Sequence, residues 1–252
     1  MAISELDKEP AVLELNALRI RLEEVRSRIA AAALRAGRAV DEIKLVAISK
    51  THPASMLRAA LSLGVHDLGE NRVQEAEPKI VELGRKAATW HLVGHLQSNK
   101  ARRAVQLFDV IHSLDTMSLA QRLERVCQEE QKSIDVLIQV DLGGEETKSG
   151  LPETELLKVA TVLKTSERVR LIGLMTLPPY FEDGEQVRPF FRRLRELRND
   201  LADKELFKNS TGELSMGMTH DFEVAVEEGG TMLRIGTAIF GERGKSFEDQ
   251  VK

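Results

Sequence analysis

Eight short apolar runs, each followed by a helical pattern, recur along this chain, and that alternation is the strongest constraint on its fold. The runs are IKLVAIS (43–49), VHDLG (65–69), TWHLVG (89–94), DVIHSL (109–114), IDVLIQV (134–140), VRLIGLM (169–175), ELSMG (213–217) and TMLRIG (231–236). Their length and β-branched character read as strands, and the 3.6-residue spacing between them reads as crossover helices. Such a repeat favours a closed (β/α)8 barrel, an α/β fold of TIM type that needs no second domain to cover a sheet edge. The second and seventh runs are weak, which keeps a flavodoxin-like or Rossmann sheet as the alternative. The Rossmann version lacks a G-x-G-x-x-G turn after LVAIS. One extra helix precedes the first strand: Leu15, Leu18, Leu22, Val25, Ile29 and Ala33 share a face, and Gly37 stops it. The expected organisation is one barrel domain over 1–244 and a polar tail over 245–252.

Composition narrows the function classes. With 252 residues the chain buries a sizeable core, and aromatics at 4% leave that core to Leu, Ile, Val, Met and Ala. A net charge of −4, from 36 basic and 40 acidic residues, argues against a general nucleic-acid binder. The single cysteine, Cys127, excludes an internal disulfide framework and fits a reducing compartment. MAISELDKEP has no apolar signal core, and no later run reaches the length of a membrane span. A soluble cytoplasmic protein is the expectation, with an organellar address as the alternative. A compact single barrel predicts a monomer, a dimer being the other outcome.

Barrels carry their functional groups at the C-terminal ends of the strands. Sorted by that rule, Lys50 follows the first strand, Glu70 and Asn71 the second, and His95, Gln97 and Asn99 the third. Ser113 and Asp115 follow the fourth, 141–148 the fifth, and Met175 and Thr176 the sixth. Ser215 to Met218 follow the seventh, and Arg234, Gly236 and Thr237 close the eighth. Lys50 ends an apolar run, so its stem is enclosed while its amine reaches the rim. A partly desolvated amine is a nucleophile toward carbonyls. The same pattern also describes a lysine snorkelling at a strand end. In RIGTAIFG (234–241) a Gly-Thr turn offers converging donors for an anion, or simply starts a helix.

Other polar positions stay open between roles. In SMGMTHD (215–221), Ser215 and Gly217 suit an anion cup, while a helix N-terminus accounts for Thr219 and Asp221 as well as a catalytic role for His220 and Asp221 does. His91 and His95 lack a third metal ligand, and His52, His66 and His112 suit structural roles equally. GGEETKSG (143–150), with Lys148, reads as a mouth loop. The five arginines of VRPFFRRLRELR read as an outer barrel helix, an RNA or partner surface being the lesser alternative.

Taken together, LVAISKTHP, GVHDLGENRVQEAEPK, WHLVGHLQSNKAR, IHSLD, GEETKSG, GLM and LSMGMTHDFEVAVEEGGTMLRIGTAIFG resemble the pyridoxal phosphate homeostasis protein family, the YggS/PROSC-like proteins. The resemblance implies the fold of the alanine racemase N-terminal barrel without that enzyme's second domain. It implies that Lys50 holds pyridoxal 5′-phosphate as a Schiff base, that Ser215, Gly217, Gly236 and Thr237 cup the phosphate, and that Arg234 sits near the pyridine ring or phosphate. Asn71 and His95 fall in motifs at the cofactor mouth. VDLGGEETKSG and SMGMTHD depart from the commoner VNTSGEESKSG and SMGMSxD, yet the threonines keep hydroxyls.

An arginine near the pyridine nitrogen disfavours ring protonation and weakens the electron sink. Tyr180, the only tyrosine, follows a Pro-Pro turn that gives it no place as an acid or base. The resulting expectation is a carrier or buffer of the cofactor, acting in vitamin B6 and amino/keto acid homeostasis, with cofactor-requiring apoenzymes as partners and no robust catalysis. An amino-acid racemase or related enzyme is the alternative, and a barrel used only for protein or RNA contacts is a third reading.

Overall fold

The structure, a computed structural model, describes residues 5–144, 149–208 and 211–241. The tail at 245–252 and Lys148 of the expected mouth loop lie outside the described residues. Nine strands and nine α-helices are described: α1 (Glu5–Arg35), β1 (Lys44–Ile48), α2 (Ala54–Ser62), β2 (Asp67–Glu70), α3 (Val73–Leu83), β3 (Thr89–Leu92), α4 (Ala101–Leu107), β4 (Val110–Leu114) and α5 (Met117–Glu129) come first. After them run β5 (Ile134–Asp141), β6 (Leu151–Pro152), α6 (Glu153–Lys164), β7 (Val169–Met175), α7 (Arg188–Asp203), β8 (Glu213–Ser215), α8 (Phe222–Glu227), β9 (Met232–Ile235) and α9 (Thr237–Phe240).

The sheet closes. All pairings are parallel in the order β1, β2, β3, β4, β5, β7, β8, β9, and β9 returns to β1 with Val46 opposite Arg234. The chain is therefore a (β/α)8 barrel, and both weak runs are strands. The two-residue β6 lies outside the barrel and pairs only with β5. β5 shows why the apolar runs become strands here: Ile134, Val136, Leu137, Ile138 and Val140 are all buried, because helices cover one face and the lumen fills the other.

The N-terminal helix has a structural task. After β9 only the four-residue α9 follows within the described residues, too short to cover the sheet, and α1 packs against α8, α9 and α2 in its place. Leu18, Leu22, Val25 and Ile29 bury the apolar stripe. Arg21 Nε donates to the Ile239 carbonyl at 2.8 Å, Arg28 pairs with Glu223 at 2.9 Å, and the Arg28 guanidinium lies 4.5 Å from the Phe222 ring centre. The arginines of α7 are engaged within the protein too. Arg188, Arg192 and Arg195 surround Glu228, Arg193 pairs with Glu153, and Arg198 donates to the Gly212 carbonyl. This explains them as the polar side of an outer barrel helix.

Candidate functional site

A cavity of about 440 Å³ opens at the C-terminal ends of β1, β2 and β9. Lys50, Asn71, Arg234, Gly236 and Thr237 line it, so five of the eight expected site residues meet there. His95 lines an adjoining cavity of about 480 Å³, which shares Val93, Gly94, Leu177, Met218 and His220 with the first. Ser215 and Gly217 line neither cavity. Ser215 is fully buried in the lumen beneath Arg234, and Gly217 packs against α8.

The backbone around Lys50 is constrained. Ser49 and Lys50 leave β1 through a turn in which Thr51 has φ of 68°, a conformation that β-branched residues rarely adopt. Below that turn lies a buried ion pair: Lys79 Nζ is 2.7 Å from Glu70 Oε1 and donates to the Ser49 carbonyl at 2.8 Å. The Ser49 hydroxyl donates to the same Glu70 oxygen at 2.7 Å. Burial pushes the Glu70 carboxyl above its ordinary range, while Lys79 and Ser49 pull it back. Among the described residues, no carboxylate lies within ion-pairing distance of Lys50. Lys50 lines the cavity, its amine uncommitted among the described residues.

Arg234 supplies the other charge. Its side chain is almost wholly enclosed, with one guanidinium nitrogen donating to Ser215 Oγ at 2.7 Å and the other to the Thr176 carbonyl at 2.8 Å. No carboxylate among the described residues pairs with it, and burial lowers its pKa to about 10, with Asp221 working in the opposite direction. A buried cation held by neutral acceptors leaves positive charge for an anionic or electron-rich ligand to balance.

The remaining rim residues have defined tasks. His95 Nδ1 lies 3.0 Å from Asp115, and the imidazole is 53% exposed while the carboxylate is nearly buried. Burial raises the Asp115 pKa against the pull of His95. Asp221 accepts the Met218 amide hydrogen at 2.6 Å, closing the turn before α8; burial raises its pKa as well. Thr219 Oγ1 accepts from the Ala238 amide at 3.4 Å and lines the cavity. Gly94 is obligatory for a steric reason, because a Cβ there would sit 2.3 Å from the Asn71 carbonyl oxygen. That close approach brings the loops after β2 and β3 together.

Two features escaped the sequence. Lys79 lies in α3, where nothing in the local pattern marks it as the partner of Glu70. Tyr180, to which its Pro-Pro turn gives no place as an acid or base, stands with its ring edge-on to His220 at 5.8 Å, on the wall of the adjoining cavity. Only the fold brings those residues together, so no short-range signal was available for either.

A barrel of this topology, with a lysine amine and a buried arginine at one mouth, defines a class. The alanine racemase N-terminal domain family matches residues 20–244. An alanine racemase from Bartonella henselae shares the fold with a TM-score of 0.66 at 12% identity, covering 92% of this chain and 62% of that one. Nearer relatives define the branch. The pyridoxal phosphate homeostasis protein of Aquifex aeolicus is 44% identical, over 88% of this chain and 97% of the relative. That of Escherichia coli K12 is 40% identical, over 91% and 98%. PipY of Synechococcus elongatus, solved with PLP bound, superposes with a TM-score of 0.78 at 37% identity, covering 89% of this chain and 100% of that one. The chain belongs to the pyridoxal phosphate homeostasis protein family. No described helix is long and apolar enough to cross a membrane.

Proposed function

We propose that this protein holds pyridoxal 5′-phosphate at Lys50 and serves as its reversible carrier or buffer in the cytoplasm. The observation that carries the reading is the pairing, in one cavity, of an uncommitted Lys50 amine with a buried Arg234 that no described carboxylate neutralises. When bound, the cofactor's aldehyde supplies reversible imine formation with a primary amine. Lys50 offers that amine, and the turn over Glu70 and Lys79 holds it in place. Arg234 presents positive charge to the ring or phosphate, Gly236 and Thr237 offer donors at the mouth, and Asn71 and His95 orient the open side. Ser215 and Gly217 act from beneath: Ser215 holds Arg234, and Gly217 lets β8 turn toward α8.

In this reading the barrel over 1–244 is the functional unit, turnover is not its purpose, and cofactor-requiring apoenzymes are the recipients. Borohydride reduction of the cofactor-loaded protein, followed by peptide mass mapping, tests it. The expected adduct is on Lys50, and an adduct elsewhere or none overturns the assignment. A racemase is the second reading, favoured by one observation: the Tyr180 ring beside His220 on the adjoining cavity. Efficient racemisation at saturating cofactor, abolished by Lys50→Ala, decides for the enzyme.

A further inference from the structure

The barrel lumen contains a continuous hydrogen-bond chain from Arg234 to the opposite mouth. Arg234 donates to Ser215 Oγ at 2.7 Å, and Ser215 Oγ lies 2.8 Å from His112 Nδ1. His112 Nε2 is 2.9 Å from His91 Nδ1, and His91 Nε2 is 2.9 Å from Asp67 Oδ1. Ser215, His112 and His91 are fully buried, whereas the Asp67 side chain keeps 17% of its surface at the start of β2.

The two ends dictate the direction of every link. A guanidinium only donates and a carboxylate only accepts. With neutral imidazoles, the Ser215 hydroxyl therefore gives its hydrogen to His112 Nδ1, His112 Nε2–H gives to His91 Nδ1, and His91 Nε2–H gives to Asp67. The reverse arrangement would set the unprotonated Nε2 of His91 against the Asp67 carboxylate, two acceptors facing each other. His112 is held neutral by its surroundings: burial first, then the positive charge of Arg234 from β9 and Lys44 from β1 press its pKa well below 6.5.

We propose that Asp67 is a positioning residue for the cofactor cavity: from the opposite mouth it fixes the tautomers of His91 and His112 and, through Ser215, the orientation of the Arg234 guanidinium. The consequence for the ligand rests on Arg234 facing pyridoxal 5′-phosphate as proposed above; the tautomer assignment does not.

Nitrogen NMR of the cofactor-free protein reads the chain directly. Both histidines are expected as Nε2–H tautomers with Nδ1 in the acceptor range; an Nδ1–H form of either in the wild type overturns the proposal. Asp67→Asn keeps an acceptor oxygen and is expected to keep both tautomers, whereas Asp67→Leu removes it and is expected to give an Nδ1–H population. Cofactor affinity is then expected to fall about tenfold in Asp67→Leu and less than about twofold in Asp135→Asn. The latter removes another carboxylate, one paired with Arg170 and outside the chain. Equal losses in the two variants overturn the directional role. If Asp67→Leu does not fold, the wild-type tautomers still decide. If the wild type binds no cofactor, the reading of the cavity fails while the tautomers test the chain.

Discussion

Lys79 and Glu70 form a buried ion pair, 2.7 Å from nitrogen to oxygen, directly beneath the turn that presents Lys50. One Glu70 oxygen collects both Lys79 and Ser49, and the other, Oε2, has no hydrogen-bond partner among the described residues. Lys79→Met strands the carboxylate and leaves the Ser49 carbonyl with the His52 amide at 3.1 Å as its donor. A stability loss of about 3–5 kcal/mol is expected in urea denaturation, the ordinary cost of removing one partner of a buried pair. Replacing both residues by Met is expected to recover much of that loss while leaving cofactor affinity reduced, since Ser49 then loses its side-chain ties to Glu70 and Lys79.

Arg234→Met separates stability from binding. The substitution removes a buried charge that, among the described residues, Ser215 and the Thr176 carbonyl hold, so relief of its desolvation offsets the two acceptors left behind. The net change in thermal unfolding is expected to stay within about 2 kcal/mol. Cofactor affinity, measured by absorbance titration, is expected to fall at least about tenfold. A fold that loses little while its ligand loses much marks a residue kept for binding.

The pH dependence of stability carries the signature of His112. Its folded pKa is depressed, so below the ordinary value of 6.5 the unfolded chain takes up a proton that the native lumen refuses. Stability contributed by the neutral native form is present above that value and is lost as pH falls toward the depressed one. The slope approaches about 1.4 kcal/mol per pH unit for one such group. Glu70, Asp115 and Asp221, whose pKa values are raised, act oppositely over the lower window above the ordinary carboxyl range. His112→Gln is therefore expected to flatten the pH 6.5 to 5.5 segment of a urea-midpoint series relative to wild type.

Gly217→Ala tests the packing of the β8 turn. Gly217 has φ of 88°, and a Cβ would lie 2.5 Å from the Ala225 methyl and 3.0 Å from Phe222 Cα. Neither backbone nor neighbour yields without moving α8. A loss of about 2–4 kcal/mol is expected in chemical denaturation, combining left-handed strain with overpacking.

The strand order was legible because each barrel strand carries its own apolar run, and even the weak VHDLG and ELSMG runs fell where the repeat required them. Lys50, Asn71, Arg234, Gly236 and Thr237 were legible as a group because a barrel gathers strand ends on one rim. The lumen was not legible. Asp67, His91, His112 and Ser215 come from four different strands and pair across as many as 103 positions in sequence, so their alignment depends on register alone. His91 accordingly read as a histidine without a third metal ligand, His112 as one equally suited to a structural role, and Ser215 as part of an anion cup. The arginines of α7 kept an RNA or partner surface open as a lesser alternative to an outer barrel helix for a related reason: Glu153, Glu227 and Glu228 reach them from other helices.

Thr51 changes what binding has to supply. A β-branched residue held at φ 68° persists only because the turn around it is over-determined, so the backbone that displays Lys50 is already ordered before a ligand arrives. The entropy of fixing that backbone is settled during folding, and a carbonyl ligand meets an amine whose anchor no longer has to be immobilised. Rapid loading and unloading of the same site, with little rearrangement between the two states, is the kinetic behaviour such a turn favours.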